Sequence, residues 1–297
     1  MKILITGGTG FIGRHFMSRF ADYQYTVLTR DTARAYRELG SQHRYISHLD
    51  ELPLDSGFDA VINLAGEPIV GVRWSDKQKH NLCQSRWKTT EALVDWMSRA
   101  EIKPQVFLSG SAIGVYGIDD EASFDEQSRA LREDFSTQLC ERWEREAKLA
   151  EASTRVVLLR TGVVLGSDGG ALDKMLLPFK MGLGGPVGSG EQWMSWIHME
   201  DYLAALHHLM VSDSSSGAYN LTAPEPVRNK RFVKALASAL HRPCWMPLPA
   251  YALKIALGEA STLLLDGQKV LPKRLLDDGF TFSFNSVEAA MKDLFER

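Results

Sequence analysis

The sequence predicts a doubly wound α/β fold: a parallel sheet with helices on both faces and a smaller lobe towards the carboxyl end. Three observations predict it. Short aliphatic runs alternate with longer amphipathic segments through the first half, a strand-like run at 2–6 passes straight into glycines, and from Gly166 onward the pattern changes. The strand candidates are 2–6, 26–29, 60–64, 106–109 and 156–160, several of them apolar throughout, which implies burial on both faces. Between them, 11–20, 76–99 and 133–153 read as the crossover helices of βαβ units.

The second half opens on a tract of glycines (Gly166, Gly169, Gly170, Gly182, Gly184, Gly185, Gly188, Gly190) interrupted by an apolar helix at 175–181. Such turns build a ligand-facing lobe, not a sheet core. Helices at 199–210, 229–240 and 286–295 follow, with a short strand at 218–221. The expected division is a Rossmann-type dinucleotide-binding domain over 1–165, rejoined by the strand near 218–221, and a smaller substrate lobe over 166–297. Neither an internal repeat nor a low-complexity linker separates them.

Composition narrows the function classes. With 44% hydrophobic and 24% charged residues, the 297-residue chain is ordinary folded protein. A formal charge of -3 gives no broad attraction to nucleic acid or to anionic membranes, so the expected partner is a small-molecule substrate. Cys83, Cys140 and Cys244 are widely spaced and form no CxxC pair, which suggests neither a disulfide framework nor a metal site. A start of Met1-Lys2-Ile3-Leu4-Ile5-Thr6 leaves no room for a signal-peptide apolar core, and the expected location is cytoplasmic.

The glycine run carries the chemistry. Gly8-x-Gly10-x-x-Gly13 and Gly7-x-x-Gly10-x-x-Gly13 both read in the strand–loop–helix context that a dinucleotide pyrophosphate requires. Glycines allow a tight turn and close approach of backbone to phosphate, and free N–H groups at a helix start face the anion. The expected cofactor residues here are Gly7, Thr9, Gly10, Phe11, Ile12 and Gly13. The second strand ends in Thr29-Arg30-Asp31. An arginine there pairs with the 2′-phosphate of NADP, so Thr29 and Arg30 point to NADP; Asp31 leaves NAD as the alternative, through a carboxylate on the ribose.

Taken with Asn63-Leu64-Ala65-Gly66, Leu108-Ser109-Gly110-Ser111-Ala112 and Val115-Tyr116-Gly117, the loop resembles the extended short-chain dehydrogenase/reductases, the nucleotide-sugar epimerase and dehydratase group. The resemblance covers the whole chain. Glu67, Ser85-Arg86, Trp143-Glu144, Arg160 to Gly166, Leu183 to Gly190, Trp196-Ile197-His198 and Gly267 to Val270 resemble a narrower branch, the epimerase-like proteins of unassigned substrate. The resemblance implies that Leu64 and Ala65 run along the cofactor and that Asn81 and Arg86 reach it from the next helix. It further implies that Ser109 closes the nicotinamide side and that Gly162 and Val163 flank the far end.

The same resemblance implies a catalytic set of serine, tyrosine and lysine, the last two as Tyr-x-x-x-Lys. Ser111 fills the serine position, but counting back from Trp143-Glu144 puts Ser136 where the tyrosine belongs and Cys140 where the lysine belongs. A serine hydroxyl is too basic to act as a phenol does, and a thiol provides no fixed positive charge. Tyr116 is the replacement candidate for the acid. In the second lobe Trp193, Trp196 and His198 read either as a stacking wall for a substrate or as core residues with His198 capping a helix. The expected function is NADP-dependent oxidoreductase or epimerase-type chemistry on an unidentified small substrate; the alternative is a sensor or interaction protein that keeps the cofactor site and has lost catalysis.

Overall fold

The computed structural model describes residues 1–296; Arg297, the end of the expected second lobe, lies outside them. The chain runs β1 (Lys2–Thr6), α1 (Phe11–Arg19), β2 (Gln24–Leu28), α2 (Thr32–Leu39), β3 (Arg44–Ile46), β4 (Ala60–Asn63), α3 (Asp76–Arg99), β5 (Val106–Ala112), β6 (Asp119–Phe124), α4 (Phe135–Lys148) and β7 (Arg155–Thr161). It continues through β8 (Val163–Leu165), α5 (Gly170–Lys180), β9 (Trp193–Met194), β10 (Trp196–His198), α6 (Met199–Val211), β11 (Gly217–Leu221), β12 (Val227–Arg228) and α7 (Asn229–Ala239). The last elements are α8 (Ala250–Leu257), α9 (Thr262–Leu265), β13 (Gln268–Val270), α10 (Lys273–Asp277) and α11 (Val287–Phe295).

Seven parallel strands make the central sheet in the order β11-β7-β5-β4-β1-β2-β3. The apolar strands alternate their side chains between two covered faces. Ile3, Ile5, Val27, Leu108 and Leu159 pack with Phe16 of α1 and Tyr202 and Leu206 of α6. Leu4, Val61, Phe107 and Leu158 pack on the other side with Leu93, Trp96 and Met97 of α3. Full burial of each such side chain is worth about 1.5–3 kcal/mol, so the two faces account for the sheet's position between helix layers. The chain leaves β1 for α1 on one face and β4 for α3 on the other, which opens a crevice at the carboxyl ends of these strands.

A second core lies beyond the sheet, where Leu172, Leu176 and Phe179 of α5 meet Phe232 and Leu236 of α7, Trp196, and Val287 and Met291 of α11. Helix α6 and strand β11 belong to the sheet's own layers, so residues 199–221 return to the first lobe between two segments of the second. Among the described residues no helix is long and apolar enough to cross a membrane.

Candidate functional site

The crevice is a groove of about 620 Å³ lined by the glycine loop, the ends of β2 and β4, the 47–50 turn and one face of α3. Its floor is set by backbone that admits no side chain. A Cβ on Gly13 would lie 2.3 Å from the carbonyl oxygen of Gly7, and one on Gly7, whose φ is +69°, would lie 2.7 Å from the carbonyl of Leu64. Gly10 is exposed and donates its N–H to Gly7 O at 2.9 Å, closing the turn. The first N–H groups of α1, at Phe11, Ile12 and Gly13, have no intrahelical acceptor by the geometry of any helix start. This is a cradle shaped for a pyrophosphate, with the helix dipole adding to its preference for an anion.

The opposite wall is held by a buried hydrogen-bond chain. Ala65 N donates to Thr6 Oγ1 at 3.1 Å, Thr6 Oγ1 to Asn63 Oδ1 at 2.7 Å, and Asn63 Nδ2 to Thr90 Oγ1 at 2.9 Å. Leu64 and Ala65 are thereby fixed along the groove, with Gly7, Thr9, Gly10, Thr29 and Arg30 facing them. Asp31 is engaged elsewhere: its Oδ1 caps α2 by accepting from Arg34 N at 2.8 Å, and it does not line the groove. Ser85, Lys88 and Thr89 of α3 also line the groove. They lie three and four residues apart on one helix face, a spacing that marks them in the sequence once Ser85 is placed.

Arg86 stands behind this wall. Its Nη1 donates to Leu82 O at 3.0 Å and its Nη2 to Glu67 O at 3.0 Å, and its guanidinium lies 5.3 Å from the Trp143 ring. Burial holds it below its ordinary pKa. Asn81 is exposed on α3 one turn before Ser85 and is not part of the groove lining. Ser109 is fully buried at the middle of β5, opposite Asn63, and its hydroxyl has no hydrogen-bond partner among the described residues. Gly162 and Val163 lie where β7 passes into β8; Gly162 abuts Ser195 O, Val163 pairs with Trp196, and neither lines the groove.

The candidate catalytic residues sit in a different environment. Ser111 donates to Glu144 Oε1 at 2.8 Å. Arg160 of β7 clamps the same carboxylate with Nε and Nη2 at 2.8 and 2.9 Å and donates through Nη1 to the Tyr116 hydroxyl at 2.9 Å. Tyr116 in turn donates to Asn220 Oδ1 at 2.6 Å. Burial pushes the Tyr116 phenol up to about 12, with Arg160 pulling the other way. Burial acts to lower the Arg160 pKa, but the bonds to Glu144 prevail and hold it above its ordinary value. Tyr116, Glu144 and Arg160 form one side of a second cavity of about 460 Å³, whose other lining includes Arg129, Arg145 and Lys148.

Ser136 and Cys140 face Gly114, where an added Cβ would be 3.1 Å from Ser136 Cβ and 3.8 Å from Cys140 Sγ. Cys140 is buried and its thiol is pushed up to about 12 by that burial, which rules against a thiolate nucleophile. Arg86 is close enough to act on it electrostatically. A lysine at 140 would therefore bury a second cation beside Arg86.

The three aromatic residues of the second lobe do not converge. Trp196 is fully buried and donates from Nε1 to Glu225 O at 2.9 Å. His198 is buried against Phe284 at a ring separation of 3.9 Å, and its Nδ1 accepts from Glu200 N to cap α6. Trp193 is half-buried, donates to Asp120 O at 3.0 Å and carries the Arg228 guanidinium 3.9 Å over its ring. Among the described residues no three His, Cys, Asp or Glu side chains are grouped to hold a metal.

Fold and crevice together define a doubly wound α/β protein with a dinucleotide-type loop at its switch point. Residues 3–222 match the model of the NAD dependent epimerase/dehydratase family, and the chain belongs to that family. Residues 248–294 match a domain of unknown function, DUF1731. The epimerase family protein SDR39U1 homolog of Arabidopsis thaliana, a chloroplastic protein, is 40% identical over 100% of this chain and 87% of its own length. Epimerase family protein YfhF of Bacillus subtilis is 38% identical over 99% of this chain and 98% of its own. The crystal structure of human epimerase family protein SDR39U1 (isoform 2) with NADPH superposes with a TM-score of 0.91 at 35% identity, covering 100% of both chains.

Proposed function

We propose that the protein binds NADP(H) in the 620 Å³ groove and carries out oxidoreductase or epimerase-type chemistry on a small, unidentified substrate. The observation that carries the reading is the backbone cradle of Gly7, Gly10 and Gly13, where added Cβ atoms would strike Leu64 or Gly7. Arg30 on the groove, with Asp31 withdrawn to cap α2, supports the 2′-phosphate over the bare ribose. The NADPH in the human relative's crystal structure supports the same choice. Leu64 and Ala65 would pack along the cofactor, and Arg86, whose guanidinium holds Leu82 O and Glu67 O behind the wall, would support that wall and not touch the cofactor. Such a group, when bound, supplies or accepts a hydride.

The proton chemistry differs from that of a Tyr-x-x-x-Lys enzyme. Ser136 and Cys140 provide neither phenol nor ammonium, and Tyr116 is held protonated inside the Arg160–Asn220 network. Ordinary nucleotide-sugar epimerisation is therefore expected to be weak or absent, and the chemistry expected is hydride transfer to a substrate that needs no phenolic acid. Calorimetric titration tests the binding reading: NADPH should bind at least about 10-fold tighter than NADH, and equal affinities would overturn it. Turnover assays test the chemistry. Robust nucleotide-sugar turnover that survives both Ser111→Ala and Tyr116→Phe would place the acid elsewhere.

A further inference from the structure

One side chain spans the groove. Strands β2 and β4 flank β1 on either side, so residues just beyond their carboxyl ends face each other across the glycine loop that follows β1. Arg30 comes from the β2 side and Glu67 from the β4 side; both line the groove, and Arg30 Nη1 lies 3.9 Å from Glu67 Oε1. Glu67 is anchored through its backbone, its N–H donating to Ser85 Oγ at 3.0 Å and its carbonyl accepting from Arg86 Nη2 at 3.0 Å. Only its side chain is left to reach across. The pair is 90% exposed on the Arg30 side and 34% on the Glu67 side, so it is screened, weak and easily parted.

The geometry points to Glu67 as a specificity-determining residue: its carboxylate is the resident counter-ion of Arg30 and must be displaced before a phosphate on the ligand can take the guanidinium. A 2′-phosphate carries up to two negative charges and three acceptor oxygens, so it outcompetes one carboxylate for the guanidinium and repels Glu67 from the opening. A dinucleotide with a bare ribose makes no demand on Arg30 and can pass beneath the pair without parting it. Glu67 thus costs affinity chiefly for the dinucleotide that must take Arg30 from it. The 2′-phosphate group feels it most, because that group competes directly for Arg30. This inference rests on the reading of the groove as an NADP(H) site.

The experiment is an equilibrium titration of NADPH and NADH into the full chain, for the wild type, Glu67→Gln, Arg30→Ala and the double variant. Circular dichroism would check that each is folded. Because an exposed pair of this kind contributes little, Glu67→Gln should tighten NADPH by about two- to fivefold and widen the NADPH-to-NADH affinity ratio. In the Arg30→Ala background the same substitution should leave that ratio unchanged, since the cation it acts through is gone. An unchanged or narrowed ratio in Glu67→Gln, with Arg30→Ala still abolishing the preference, would overturn the role of Glu67 and leave the cofactor reading standing. If Arg30→Ala left the preference intact, another residue would be reading the phosphate and the inference would fall while the cofactor reading stood; equal affinities in the wild type would overturn the cofactor reading itself.

Discussion

The groove beside β1 and the network beside β5 are built from opposite materials. The groove presents backbone amides, glycines that leave space, and one weak ion pair across its mouth. The network presents side chains whose polar atoms are turned on one another: Ser111 on Glu144, Glu144 on Arg160, Arg160 on Tyr116, Tyr116 on Asn220. A region that must take a ligand keeps its donors available; a region that must hold shape consumes them. The comparison sets an open groove with free donors against a closed polar network that lines a separate cavity.

Four changes would break or sharpen that contrast. The largest effect belongs to the network. Glu144→Ala would leave Arg160, whose side chain is only 11% exposed, without its bidentate partner, and is expected to destabilise the fold by about 3–5 kcal/mol in urea unfolding. A loss within 1 kcal/mol would mean that the pair is solvated and the network loose. Next, Gly10→Val would place a branched side chain where phosphate must approach. Dinucleotide affinity should fall by roughly 100-fold, or about 2.7 kcal/mol, with the unfolding midpoint nearly unchanged. Normal binding in calorimetry would make the loop merely structural.

The third change is in pH. Tyr116 titrates near 12 in the folded protein, above its unfolded value of 10.0, so its protonated form favours folding. That contribution is fully present below about pH 10 and is lost as the pH rises through about 12, by up to roughly 3 kcal/mol. Alkaline unfolding of Tyr116→Phe should lack this part of the slope; an identical slope would show the phenol to be ordinary. The smallest effect is on the groove. Arg30→Ala should remove a preference for NADPH of about 10-fold, or 1.4 kcal/mol, in side-by-side titrations.

Much of the groove was legible in the sequence because its signals are local. Glycines at fixed offsets, an apolar strand before them and an arginine after the next strand all lie within the first 30 residues. The network was only half legible. Ser111 and Tyr116 could be named, but their partners come from α4, β7 and β11, and no periodicity announces that Glu144 and Arg160 will meet. Similar reasons hide β3, three residues with an exposed arginine, and the pairing of acidic β6 with β13 far along the chain. Helix α5 starts at Gly170 and not at 175, because Gly166, Gly169 and Gly170 fold around the Phe11 ring, a contact invisible to helical periodicity. The tryptophans and His198 read ambiguously because aromatic residues near polar ones suit a wall and a core equally well.

Strand β11 has a consequence for how the chain is made. It pairs with β7 along five residues, yet the chain passes through β8, α5, β9, β10 and α6 before it returns to do so. While the ribosome is still producing 162–216, β7 is a bare parallel edge with its outer amides and carbonyls unpaired, and α6 has not arrived to cover that end of the sheet. Expression of residues 1–165 alone would freeze that moment, yielding a dinucleotide loop on a sheet with an adhesive margin and a strong tendency to self-associate. The excursion into the second lobe is a debt of assembly order, discharged only when Leu221 is in place.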